Sequence, residues 1–228
     1  MSEPSLSIII PAYNEEAIIE QVAREAFSAL QRTGLNSFEV ILVDDGSTDK
    51  TKFRMEQIRQ QLDCVRVASH QRNRGLGAAL KTGFETASGR IVTWIPGDGQ
   101  FDLGEILKGL PLLADCDIVL VLRRGRKEVT RGFITFFFHA LTRMLFHFDA
   151  TNLCGIYLLP RQLLTTLAPT AEDVFYNLEV PLLCVKHQKR ICQITVDLRP
   201  RRAGASKVAN PRTLAKNLWE MLKYRIKA

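Results

Sequence analysis

The sequence predicts an α/β protein with a mostly parallel central sheet and helices on both faces. Three observations carry this. Short β-branched runs alternate with stretches of helical period, the mark of strand–helix–strand units. The runs are apolar almost throughout, as strands covered on both faces are. The chain, 228 residues at 46% hydrophobic and 24% charged, is also long enough to bury one large core and has no disordered or repetitive bias.

The elements follow in order. Leu6–Ile10 reads as the first strand, closed by Pro11, which lacks a backbone donor. Ile18, Ile19, Val22, Ala23, Ala26, Phe27 and Leu30 repeat at helical spacing. Phe38–Val43 is the second strand and ends in Asp44-Asp45-Gly46-Ser47. A helix from about Asp49 to Gln61 follows, then a strand at Val65–Ala68, a glycine-punctuated helix from near Arg74 and a strand at Ile91–Ile95. Asp102, with Glu105 three residues on, reads as a helix cap, and Ile118–Leu122 as the next strand. Beyond residue 123 the rhythm changes. The stretch 131–148 holds six of the twelve phenylalanines, with its polar residues on one narrow stripe. A strand at Cys154–Leu159, short helices through Lys186, a strand at Ile191–Asp197 and a basic loop from Arg199 to Lys207 complete a domain expected over 1–208. Asn210-Pro211 then opens a basic amphipathic helix in 209–228, with Leu214, Leu218, Met221, Leu222 and Ile226 on one face.

Lys and Arg number 31 against 24 acidic residues, a net charge of +7, which suits a phosphate-rich or anionic-membrane partner. No nucleic-acid reader motif accompanies the charge, so nucleic acid is not the expected partner. Five scattered cysteines (64, 116, 154, 184, 192) read as reduced thiols. The N-terminus has no basic segment leading into a long apolar core, and no apolar run reaches the ~18–20 residues of a spanning helix. The expected location is the cytoplasm, with peripheral attachment to the cytosolic face of a membrane.

Ligands of open parallel sheets sit beyond the carboxyl ends of the strands. Three polar clusters fall there: Pro11-Ala-Tyr-Asn-Glu15, Asp44-Asp-Gly-Ser-Thr-Asp49 and Pro96-Gly-Asp-Gly-Gln-Phe-Asp102. Each alone is an ordinary turn composition. Three at equivalent strand ends describe a site. Tyr13 offers a ring for a base to stack on, and Asp44 or Asp45 can accept from a base N–H or a ribose hydroxyl. Asp98 and Gln100, alternate residues of a segment read as extended, present two oxygens on one side. A hard divalent cation held so takes its other ligands from water and phosphate. Base, ribose and metal-bridged pyrophosphate together describe a nucleotide diphosphate.

Ser7-Ile-Ile-Ile-Pro-Ala-Tyr-Asn-Glu-Glu16, Val43-Asp-Asp-Gly-Ser-Thr-Asp49, Asn73-Arg-Gly-Leu-Gly-Ala-Ala-Leu-Lys-Thr-Gly83 and Gly97-Asp-Gly-Gln-Phe-Asp102 resemble, in order and spacing, the family 2 glycosyltransferases of GT-A (Rossmann-like) fold. They look most like the dolichol-phosphate mannose synthase branch, whose late basic motif is similar to Arg201-Arg-Ala-Gly-Ala-Ser-Lys207. The resemblance implies that Pro11, Tyr13, Glu15, Asp44 and Asp45 hold the nucleotide and that Asp98 and Gln100 hold Mg²⁺ or Mn²⁺. One departure stands out: relatives usually read Asp-x-Asp-x-Gln, and here Pro96 replaces the first carboxylate. Weaker metal binding or a different grip on the sugar is the expected consequence.

Departure of a diphosphate needs its growing charge stabilised, by metal and arginine. Asp98, Arg123 and Arg202 form the expected catalytic set, with Arg131, Arg201 and Lys207 on the acceptor phosphate. A hydroxyl acceptor would need a base from Glu172, Asp173 or Glu179, whereas a lipid phosphate is already anionic. The expected activity is inverting, metal-dependent hexosyl transfer from a UDP- or GDP-sugar to a polyprenyl (dolichyl or undecaprenyl) phosphate. The 131–148 and C-terminal segments would serve as interfacial helices. The alternatives are a glycan or other hydroxyl acceptor, or a non-catalytic nucleotide-sugar-binding subunit of a membrane complex. A membrane subunit or a second copy of the chain remains compatible with all three.

Overall fold

The computed structural model describes residues 4–35, 37–124, 143–144 and 153–200. A single seven-stranded sheet runs through them in the order β3-β2-β1-β4-β6-β5-β7. The strands are β1 (Leu6–Ala12), β2 (Phe38–Asp44), β3 (Val65–Ser69), β4 (Ile91–Trp94), β5 (Ile118–Arg123), β6 (Leu153–Pro160) and β7 (Ile191–Val196). The helices are α1 (Ile19–Gln31), α2 (Thr51–Gln61), α3 (Leu76–Thr86), α4 (Leu103–Leu107), α5 (Arg161–Leu167) and α6 (Tyr176–Lys186), with a 3₁₀ turn at Leu110–Ala114.

β1 is buried along its whole length and pairs in parallel with β2 on one side and β4 on the other. The strand order therefore reverses at β1, which opens a crevice at the carboxyl ends of β1 and β4. Pro11 does not close β1, as its missing donor suggested. Pairing with β2 continues through Pro11↔Val43 and Ala12↔Asp44, because the missing donor faces the other side, where the Pro11 carbonyl accepts the Gly97 N–H at 3.1 Å. β6 alone runs antiparallel, against both β4 and β5. β5 thus regains the direction of β4, and Arg123 at its end falls on the same edge of the sheet as the three polar clusters.

At the opposite edge Glu39, 6% exposed, ties β1, β2 and the 88–89 turn together. Its Oε1 accepts from Ser7 Oγ at 2.6 Å and Ser88 N–H at 2.7 Å, and its Oε2 from Arg66 Nη1 at 3.2 Å. Burial opposes its ionisation, but the hydrogen bonds from Ser7, Ser88 and Arg66 outweigh it and hold the carboxyl below 4.5. The stabilisation is therefore complete above pH 4.5 and fades as pH falls through the lower folded value. Glu39→Ala should cost about 3 kcal/mol in urea denaturation at neutral pH. The gap between wild type and Glu39→Gln should narrow below pH 4.5; a constant gap would remove the linkage.

Two expectations need correction or restriction. Cys116 and Cys192 are not both free thiols: they form a disulfide, with Cα atoms 5.9 Å apart. Their separation of 76 residues hides this in the sequence, but the parallel β5–β7 pairing, with Val119 opposite Cys192, brings them together. Cys64, Cys154 and Cys184 are free. Arg131, Arg201, Arg202, Lys207, the C-terminal helix and most of 131–148 lie outside the described residues; within that stretch Arg143 and Met144 are helical and exposed. Among the described residues no helix is long and apolar enough to cross a membrane.

Candidate active site

The first two polar clusters are laced to each other by backbone donors. The Asp45 N–H donates to Ala12 O at 2.9 Å, the Asn14 N–H to Ser47 Oγ at 3.0 Å and the Thr48 N–H to Asn14 Oδ1 at 2.8 Å. The Glu15 N–H donates to Thr51 Oγ1 at 2.8 Å and the Lys50 N–H to Glu16 Oε2 at 2.8 Å. Asn14 adopts a left-handed backbone (φ 52°), which its short polar side chain tolerates. The turn that follows holds Tyr13 and Glu15 half-buried at the rim. The third cluster joins through Gly97 N–H to Pro11 O. Three loops distant in sequence thus leave adjacent strands at one edge, as their spacing suggested.

Asp44 and Asp45 are 1% and 4% exposed, and the structure separates their surroundings. Asp44 Oδ1 accepts the Ser47 N–H at 3.1 Å and shapes its own turn. Asp45 faces the segment 70–75. Its Oδ1 accepts the Arg74 N–H at 2.9 Å and lies 2.7 Å from His70 Nδ1; its Oδ2 accepts the Gly75 N–H at 2.8 Å. His70 Nε2 continues to Thr82 Oγ1 at 2.9 Å. Gly46 (φ +69°) completes the contact, since a Cβ there would lie 2.3 Å from the Arg72 carbonyl carbon. His70 and Thr82 were not legible as site residues; a histidine just after a strand, 25 residues beyond Asp45, carries no spacing signal.

Asp98 and Gln100 are both half-buried, but the segment between them is a turn, not an extended run. Gly99 takes φ +70°, and Asp98 Oδ1 accepts the Gln100 N–H at 3.1 Å. The alternation argument for their shared direction therefore fails, because a left-handed residue breaks the period of two. Asp102 caps α4 as expected, accepting the Gly104 N–H at 2.8 Å. Among the described residues no group of three or more His, Cys, Asp or Glu gathers as a metal cage. Two oxygen-bearing side chains fit Mg²⁺ or Mn²⁺ that completes its shell from phosphate and water, and do not fit a closed structural site.

Arg123 is exposed at the end of β5. Burial pushes the neighbouring Cys154 thiol up to about 12, although the Arg123 charge pulls the other way. Of the three suggested bases, Glu179 is 3% exposed, and its two oxygens accept the Thr170 and Ala171 N–H groups at 2.8–3.0 Å. It anchors the 170–171 loop. Asp173 Oδ1 accepts the Phe175 N–H at 2.9 Å, and Glu172 lies 3.6 Å from Arg74. In the first turn of α3 the Ala78 N–H donates to Glu172 O at 2.9 Å.

A cavity of about 590 Å³ lies between α1 and the 99–103 segment. None of Pro11, Tyr13, Glu15, Asp44 or Asp45 lines it, so it flanks the third loop and is not the crevice at the strand ends.

Solved structures share this fold. Glucosyl-3-phosphoglycerate synthase from Mycobacterium tuberculosis, crystallised with Mn²⁺, UDP and phosphoglyceric acid, superposes with a TM-score of 0.73 at 25% identity, over 97% of this chain and 78% of that one. The fold is the GT-A type. Among curated relatives, the dodecaprenyl-phosphate galacturonate synthase of Rhizobium johnstonii is 34% identical over 54% of this chain and 37% of its own length. The dolichyl-phosphate beta-glucosyltransferase of Saccharomyces cerevisiae is 24% identical over 84% of this chain and 66% of its own. The matches thus span between about a third and two thirds of those relatives. The family model for glycosyl transferase family 2 matches residues 7–156, from the first strand into the antiparallel one and across all three polar loops. On that match, over well more than half its length, the chain belongs to glycosyl transferase family 2.

Proposed function

We propose that this chain carries out inverting, metal-assisted transfer of one sugar from a nucleoside diphosphate to a polyprenyl phosphate at a membrane surface. The observation that carries the reading is the convergence of the Pro11, Asp44 and Asp98 loops, hydrogen-bonded to one another, on one edge of the sheet. The acceptor class rests on the relatives, whose names refer to dodecaprenyl and dolichyl phosphates.

In this reading Tyr13 stacks on the base and Asp44, beside the Ser47 turn, accepts from the nucleoside. Asp45 acts from behind, fixing the 70–75 segment that walls the crevice. Asp98 and Gln100 hold Mg²⁺ or Mn²⁺, which when bound offsets the charge growing on the diphosphate. Arg123 faces the same charge from β5, and Arg131, Arg201, Arg202 and Lys207 are assigned to the leaving diphosphate and the acceptor phosphate. A phosphate acceptor is anionic at neutral pH and attacks without a protein base, which agrees with the engagement of Glu179 in loop contacts.

The test is a donor panel of UDP- and GDP-sugars with Mn²⁺ and a short polyprenyl phosphate, read by product mass, with flotation on anionic liposomes. No product from any donor would sink the proposal. Product with a small phosphorylated acceptor but none with the lipid would move it to a solvent-phase reaction. Tyr13→Ala should weaken binding of the preferred nucleotide about tenfold, in line with about 1–3 kcal/mol per stacked base, while Tyr13→Phe leaves it unchanged. Calorimetry reads both; equal weakening in the two variants would assign Tyr13 a hydroxyl contact instead.

A further inference from the structure

We infer that Arg199 is a positioning residue: it clamps the Asp98–Asp102 loop in the geometry its metal-binding side chains require. The inference rests on the assignment of Asp98 and Gln100 to a cation.

Arg199 lies three residues past β7 and meets two distant parts of the chain. Its backbone N–H donates to Gln100 O at 2.9 Å. Its Nη1 donates to Glu25 Oε2 on α1 at 2.8 Å, and its Nη2 to Asp102 Oδ2. These partners stand 174 and 97 residues away in sequence. Asp102 uses its other oxygen to cap α4. Gln100 is therefore held on both sides of its backbone, its N–H by Asp98 and its carbonyl by Arg199. One side chain and one amide fasten the loop at 100 and at 102.

Packing does only part of this work: Gly99 sits against Ile18 and Val22, where an added Cβ would lie 2.9 Å from Ile18 Cδ1. On the α1 side the loop borders the cavity of about 590 Å³, to which Gly99, Phe101, Asp102 and Arg199 all contribute wall. A loop with open space on one flank can shift, and metal ligands need placement within about 0.5 Å. The guanidinium is suited to the task because its planar fork reaches two carboxylates at once, which a lysine point charge does not. Without it, Glu25 and Asp102 lose the cation that both contact. Arg199 is 34% exposed, so the pair of ion contacts adds little to global stability and acts mainly on local geometry.

The experiment compares wild type with Arg199→Ala, Arg199→Lys and Glu25→Gln by two readouts. Amide hydrogen exchange follows the 97–107 segment without metal, and calorimetry follows UDP binding with and without Mn²⁺. In Arg199→Ala, exchange in that segment should rise at least tenfold while β1 and β2 stay protected. The Mn²⁺-dependent gain in UDP affinity should fall about tenfold, with metal-free UDP binding unchanged. Arg199→Lys should recover only part of either effect, and Glu25→Gln, which keeps the Asp102 arm, should fall between. Unchanged exchange in Arg199→Ala overturns the inference whatever the metal does. Faster exchange with an intact Mn²⁺ gain also overturns it, since the clamp would then hold the loop without serving its ligands. A wild type whose UDP affinity ignores Mn²⁺ overturns the cation assignment and the inference with it, a failure recognisable before any variant is measured.

Discussion

Replacing Asp98 with alanine should lower kcat/KM for sugar transfer by about a thousandfold, the scale lost when one main electrostatic support of a developing charge is removed. Asp98 is the sole acidic side chain among Pro96, Gly97, Asp98, Gly99 and Gln100. The loss should therefore be large and should not be rescued by excess Mn²⁺. Stability should drop by about 1 kcal/mol for the hydrogen bond that Asp98 accepts from Gln100 N–H. Metal-free nucleotide binding should persist, since Tyr13 and Asp44 belong to other loops. Steady-state kinetics with the preferred donor, alongside urea denaturation, checks all three; a variant that turns over within a few-fold of wild type would remove Asp98 from the chemistry.

Asp45→Ala should be the most damaging change for the architecture of the crevice. The carboxylate is 4% exposed, accepts two backbone N–H groups and faces His70 at 2.7 Å, so truncation leaves all three without that partner. A loss of about 3–5 kcal/mol is expected, as for breaking a buried charged network. Asp45→Asn keeps one acceptor oxygen but turns an NH₂ toward existing donors, and should lose roughly half as much. Faster exchange at residues 70–76 and weaker nucleotide binding should accompany the drop in urea midpoint. If nucleotide binding falls while the midpoint and exchange do not move, Asp45 touches the ligand directly and its anchoring role is wrong.

The two aspartates show where sequence stops. Their identity and their place after a strand of buried β-branched residues are fixed by a period that one chain displays by itself. Which of them holds the segment 70–75 depends on how β3 and α3 deliver that segment, and no local pattern encodes the approach. The same division holds at the third loop. Asp98 and Gln100 are legible as oxygen donors at a strand end, but Gly99 and the Asp98–Gln100 hydrogen bond convert an expected extended run into a turn.

By itself the sequence determined the alternation of strands and helices, the burial of β1, the cap at Asp102 and the three polar loops at strand ends. Those follow from local periodicity and from the backbone needs of particular residue types, which act within a few positions of each other. Only the tertiary structure decided the reversal of β6, the Cys116–Cys192 bond, the engagement of Glu179 with its loop and the reach of Arg199 to Glu25 and Asp102. Each is a contact between groups that sheet pairing or chain return brings together. Its energy depends on distance in space, to which spacing along the chain gives no guide.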